Sequence, residues 1–368
     1  MQTLDRIRPG TVQIVPSRSP AGECQFSVLV KRSYRIASGK TAQRLERDAA
    51  LRLTDAYYDH GDPAWSVLEH ENEMAPFKAA TDVVIVGSAY APEGRPVAQM
   101  VAGVRVGAHK KLLQLSGDRV CHWRDGAEPA FSDPLPFTEM PIRYDRAYGG
   151  RDEKSDPGLP FFYPRNDMGR GVVLRNVKDV VQGLALPNIE DPQDLLSSER
   201  VVIGDPLRWP QQPLPQGFGW RQRTWYPRSA LLGALPAFLQ PGTITAEERM
   251  QLLPANHVAL ARQMRLPPFE RQFHNGASLG LVLPDVSADE SIGLRGLTPQ
   301  GVFDFRLPGE TPQIALDIGQ GEQPLETALL TVSIRPDEAA LDLIWSGLLH
   351  FGPASKLSKL TRLRATVQ

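Results

Sequence analysis

The sequence predicts a mainly β fold of the α+β kind, with antiparallel meander or sandwich regions joined by a long Pro/Gly-rich central region and short helices. Three observations point there: short runs of strand-like alternation before residue 124, similar runs after residue 272, and dense punctuation between them. With 33 Pro and 31 Gly, the chain favours many turns over long helices.

FSVLVKRSYRI (residues 26–36) alternates well enough to be a strand, and ALRLT (50–54) reads as a short one. TDVVIVGSAYAP reads as a buried strand. QMVAGVRVGAHKKLLQLSGDRVCHW follows as successive short strands broken at Gly107 and at Ser116-Gly117-Asp118, a meander. A helix there would hold β-branched runs and glycines in its interior, against their propensities. From residue 134 to 241 proline recurs every few residues, and Trp209, Phe218, Trp220, Trp225 and Tyr226 supply the apolar anchors. Thr245-Ala-Glu-Glu248 is a capping-box pattern, so a helix is expected there and a second over ANHVALARQM after the break at Pro254. SIGLRGL, VFDFRL, QIALDI, ALLTVSI and LDLIW are short strand-like runs spaced by turns. The expected regions are N-terminal β-rich (1–137), central and loop-rich with short helices (138–265), C-terminal β-rich (266–350), and a C-terminal tail or short helix (351–368).

Composition narrows the function. The chain sets 41 Lys and Arg against 42 Asp and Glu, for a net charge of −1, which argues against nucleic acid as a partner. Its N-terminus lacks the apolar core of a secretory signal and no window suits a membrane span. Two cysteines, Cys24 and Cys121, are too few for a disulfide framework or a cysteine-rich zinc site. The expectation is a cytoplasmic protein with reduced thiols and no membrane partner.

Catalytic signals are weak. GASLG (276–280) spells G-x-S-x-G with Ser278 as nucleophile, but that elbow needs a helix after the serine and strand-like LVLP follows. Asp59, His60, Asp62, His70 and Glu71 include metal-ligand types, and the alternative reading is a hydrolase or toxin working through Ser278 or a His60/Asp62 metal cluster. The spacing is not that of a metal motif. No nucleotide loop is present, so no cofactor is expected. Residues 143–171 form a long segment without period, which predicts an ordered loop with a job, since disordered segments lack such aromatic anchors as Tyr144, Tyr148, Phe161, Phe162 and Tyr163.

Several odd segments in one order carry a family resemblance: APFKAATDVVIVGSAYAPEG (75–94), VRVG, SGDR, PLPFTEMPIRYDRAYGG (134–150), PRNDMGRG (164–171), LALPNIEDP (184–192) and PQGFGWRQRTWYPR (215–228). On these the chain resembles a bacterial domain-of-unknown-function family of type VI secretion clusters, whose members look like effector adaptors or chaperones. The resemblance implies a non-enzymatic protein that binds a secreted effector in the cytoplasm and helps load it onto a secretion spike protein. It marks Tyr144, Tyr148, Gly149, Gly150, Asn166, Gly169, Pro187, Asn188 and Glu190 as structural hallmarks. The chain departs from the family pattern after Arg228, where SALLGALPAF stands. Residue types enriched at interface hot spots cluster just before it, so Trp220, Arg221, Arg223, Trp225, Tyr226 and Arg228 are the expected effector contacts.

Overall fold

The computed structural model describes residues 10–19, 23–59, 62, 65–124, 128–158, 160–175, 177–231, 271–353, 357, 360 and 362–368. Among them the fold is mostly strand, with two four-residue α-helices at Lys178–Val181 and Arg228–Leu231. The helices expected from Thr245 onward lie outside the described residues.

The largest sheet joins the two ends of the chain. Its order is Val12–Arg18, Cys24–Arg35, Ala340–Gly352, Thr327–Arg335, Thr81–Ile85 and Val282–Leu283, and Gln43–Arg44 also pairs with Cys24–Arg35. Cys24–Arg35 lies antiparallel to Ala340–Gly352 along its whole length, and Thr327–Arg335 runs parallel to Thr81–Ile85. The N- and C-terminal β-rich regions therefore contribute strands to one sheet. Alternation divides the faces. Phe26, Val28, Val30 and Tyr34 enter the main core with Leu341, Leu343 and Trp345. The opposite face is buried too, but mixed: Leu29 and Ile344 pack with Leu51 and Leu330, beside Lys31, whose ammonium lies 2.8 Å from Glu73 and 3.4 Å from Asp342.

A second sheet, of five strands among the described residues, runs Ile189–Glu190, His109–Ser116, Gln99–Val106, Ser291–Arg295, Val302–Arg306. Its central hairpin closes over Gly107 and Ala108, and Gly107 takes φ +55°, which suits glycine in a two-residue turn. Its inner face gives Ala102, Val104, Val106, Leu113, Leu115, Ile292 and Leu294 to the main core. The central region packs on this sheet around a core of its own, built from Tyr148, Phe161, Tyr163, Val172, Leu174, Leu196 and Trp209 among others.

Two local expectations change. ALRLT is not a strand; Leu51 is held by one bond from its N–H to the Gly10 carbonyl and by burial. The C-terminal stretch, expected as a tail or short helix, contains the strand Arg364–Val367, which pairs with Ile314–Asp317. Among the described residues no helix is long and apolar enough to cross a membrane.

Candidate functional site

The long loop folds back on itself through side chain to backbone bonds, which is why it shows no period. Asn166 is the hub: its Nδ2 donates to the carbonyls of Tyr144 (2.7 Å) and Tyr148 (3.1 Å), and its own carbonyl accepts from Gly150 N–H (2.8 Å). Tyr148–Gly149 pairs in parallel with Arg170–Gly171. A Cβ on Gly149 would sit 2.0 Å from the Asn166 carbonyl, and one on Gly169 would sit 2.5 Å from that of Ala147, so neither position has room for a side chain. Asn188 ties this loop to the five-stranded sheet. Its Nδ2 donates to Ser116 O and Asp118 Oδ1 (3.0 Å each), and its Oδ1 accepts from Arg170 Nη1 (3.1 Å). Arg119 donates to Glu190 and to the Pro187 carbonyl. Burial raises the Glu190 carboxyl's pKa despite Arg119. All nine hallmark residues thus meet at one junction between the central region and the sheet.

The structure buries three of the six expected contacts. Trp220, Trp225 and Arg228 are 4%, 3% and 2% exposed, so no partner reaches them in this fold. Trp220 bridges to Ala277, and Trp225 donates its indole N–H to Asp167 (2.9 Å) and meets Tyr144 edge-on. Arg228 forks onto Glu71, Nη2 to Oε1 at 2.8 Å and Nη1 to Oε2 at 3.0 Å. Arg223 spans Asp55 (2.7 Å) and Glu71 (2.6 Å). Arg221 and Tyr226 are half-buried. Of the apolar run that follows, residues 232–238 lie outside the described residues.

The His60/Asp62 metal cluster of the alternative reading falls partly outside the described residues. His60 lies outside the described residues, Glu71 is occupied by arginines, and Asp59 donates its backbone N–H to Ser66 Oγ (3.0 Å) while its Oδ2 accepts from the same hydroxyl (3.5 Å). His70 is buried, its pKa pushed down to about 3 by that burial and by Arg52. No group of three His, Cys, Asp or Glu converges among the described residues.

Ser278 is fully buried, and no elbow forms: a turn and then the strand Val282–Leu283 follow it. Its hydroxyl donates to Gly217 O (2.6 Å) and accepts from Lys111 Nζ (2.6 Å) and Tyr144 OH (3.1 Å). Lys111 also donates to Leu279 O at 2.6 Å. Burial, aided by the Arg221 charge, lowers the lysine's pKa to about 7. A serine beside a lysine that is readily neutral is a nucleophile and base in type, yet here the serine proton points at a carbonyl and solvent is excluded. Lys111 escaped the sequence reading although alternation places it on the inward face with Leu113 and Leu115. Ser278→Ala should cost about 1–3 kcal/mol, because a buried ammonium and a carbonyl each lose a partner. Urea denaturation checks this, and an unchanged midpoint would show that the hydroxyl is dispensable.

The chain belongs to the family described as uncharacterized protein conserved in bacteria (DUF2169), whose pattern matches residues 21–346. No curated protein and no solved structure matches it.

Proposed function

We propose that this protein is a non-enzymatic adaptor or chaperone that binds a secreted type VI effector in the cytoplasm and helps load it onto the secretion spike. The secretion context comes from the resemblance carried by the hallmark segments. Binding is supported by one observation, the outer face of the five-stranded sheet. Val101, Leu112 and Val302 are 49%, 46% and 55% exposed there, Val101 diagonal to Leu112 on the neighbouring strand and Val302 across Arg295 and Gly103 from Leu112, and a contiguous exposed apolar patch marks an interaction site. Between them lies a hollow of about 400 Å³ lined by Gly103, Arg105, Lys110, Leu112, Gly293 and Arg295. The two glycines keep it open, since a Cβ on Gly103 would lie 2.7 Å from Leu112 Cδ2 and one on Gly293 2.7 Å from Asp304 Oδ1.

With Arg295 paired to Asp304, Arg105 and Lys110 give the apolar centre a basic side, which complements a partner surface that is apolar and edged with Asp and Glu. The occupant assigned to it is such a face on the effector. In the source bacterium, deleting the gene should stop secretion of a protein that the tagged chain captures, and the wild-type gene should restore it. Leu112→Asp, at an exposed position, should keep its melting temperature yet restore neither capture nor secretion. Secretion unaffected by the deletion would overturn the reading. So would turnover of ester, peptidoglycan or nucleic-acid substrates by pure protein that Ser278→Ala removes.

A further inference from the structure

Elsewhere on the surface, a pocket of about 190 Å³ is lined by Tyr144, Arg165, Leu214, Pro215, Arg221, Tyr226, Pro227 and Leu279. Its walls are mostly apolar, and Leu214 and Leu279, 40% and 38% exposed, belong to its open side. Two of its lining residues are arginines, and neither forms an ion pair with a described residue.

Their hydrogen bonds explain why this matters. Arg221 donates Nε to the Ala277 carbonyl at 2.7 Å, and its two terminal nitrogens bond no described residue. The carboxylates that act on it from a distance are committed elsewhere: Asp82 to Lys78 at 2.6 Å, and Glu71 to Arg223 and Arg228. Burial lowers its pKa, the mark of a cation short of compensation. Arg165 spends only Nη1, on Tyr163 OH (3.4 Å), Pro210 O (3.2 Å) and Gln212 O (3.4 Å), with its guanidinium 4.7 Å from the centre of the Trp209 ring. Neutral carbonyls orient both groups without cancelling their charge. The fold pairs other cations with acids, as at Lys31 with Glu73 and Arg228 with Glu71, and apart from Lys111, which is spent on Ser278 and the Leu279 carbonyl, the two arginines are exceptions to that pairing.

We infer that this pocket binds a carboxylate joined to a small apolar group, with the carboxylate held by Arg165 and Arg221 and the apolar part against Leu214, Pro215, Pro227 and Leu279. Guanidinium is the side chain best matched to a carboxylate in such a setting, and the apolar walls reward burial of the attached group. The carboxylate has two possible sources, a free organic acid or the C-terminus of a polypeptide. The inference does not depend on the adaptor reading, because the charges and walls are fixed by the fold alone.

Calorimetric titration at low ionic strength tests it with benzoate, with benzamide, and with a tetrapeptide ending in Phe as free acid or amide. Benzoate or the free-acid peptide should bind saturably, and the matching amide about tenfold or more weaker. Whichever of the two acids binds tighter identifies the source. Arg221→Met and Arg165→Met should each cut affinity about tenfold. Because Arg221→Met also removes the bond to the Ala277 carbonyl, Leu279→Trp supplies an independent test by filling the pocket from an exposed position, and it too should abolish binding while the protein remains folded. Absence of saturable binding by both acids, or binding that survives both Arg165→Met and Leu279→Trp, would overturn the assignment.

Discussion

Replacing Glu71 by Ala should lower the free energy of unfolding by about 3–5 kcal/mol. The carboxylate is 5% exposed and holds Arg228 through two bonds and Arg223 through one. Arg223 retains Asp55 when Glu71 is removed. Among the described residues Arg228 retains the carbonyls of Phe273 and Arg221 and the Phe273 ring at 5.6 Å, so its charge is left buried without a counter-ion. That cost, rather than the lost attraction, makes the effect large. Glu71→Gln, which keeps the shape, should cost nearly as much if charge is the cause. Joint replacement by apolar residues, Glu71→Leu with Arg228→Met, should be milder than either single change. Urea midpoints at constant slope measure all of these, and a strictly additive double variant would refute the argument.

Tyr148→Ala should cost about 3–5 kcal/mol. Tyr148 is 1% exposed and begins an edge-to-face series, with Tyr163 at 5.1 Å, then Trp209 at 6.3 Å and Tyr226 at 5.1 Å. Removing the first ring opens a cavity in the smaller core, where the surrounding loop is already fixed by Asn166 and cannot collapse inward. Tyr148→Phe loses only the bond from the phenol to Gln212 Oε1 (3.2 Å) and should cost about 1 kcal/mol. Thermal unfolding of the pair decides: equal losses would place the effect in the hydroxyl, and two unchanged transitions would mean that the ring is not load-sharing in the core.

Strand identity was legible because burial on one face leaves a period of two: residues 26–36, 99–106, 109–116, 291–295 and 302–306 all form the expected strands within a residue or two. Pairing was not legible. That Cys24–Arg35 selects Ala340–Gly352 depends on two surfaces more than 300 residues apart, and neither run alone specifies its neighbour. The central region resisted for a different reason. Its order rests on Asn166, Asn188 and Asp152 bonding to backbone groups, and such bonds leave no periodic trace. At Trp220, Trp225 and Arg228 the same residue types serve a core and an interface equally, so sequence could not distinguish them. Lys111 could have been found, since the strand's alternation already turned it inward.

The central placement of the chain's last long strand bears on synthesis. Ala340–Gly352 lies between Cys24–Arg35 and Thr327–Arg335, and Thr81–Ile85 pairs with Thr327–Arg335 in turn. As the polypeptide emerges from the ribosome, the early strands therefore present unpaired edges and the apolar row Phe26, Val28, Val30 until residues near 350 are made. At about 5–20 residues per second that interval lasts on the order of 15–65 s, long compared with the collapse of a nascent chain. Residues near 350 must be made before the largest sheet can close, and until then the newborn chain is itself an aggregation hazard that would draw a cellular holdase.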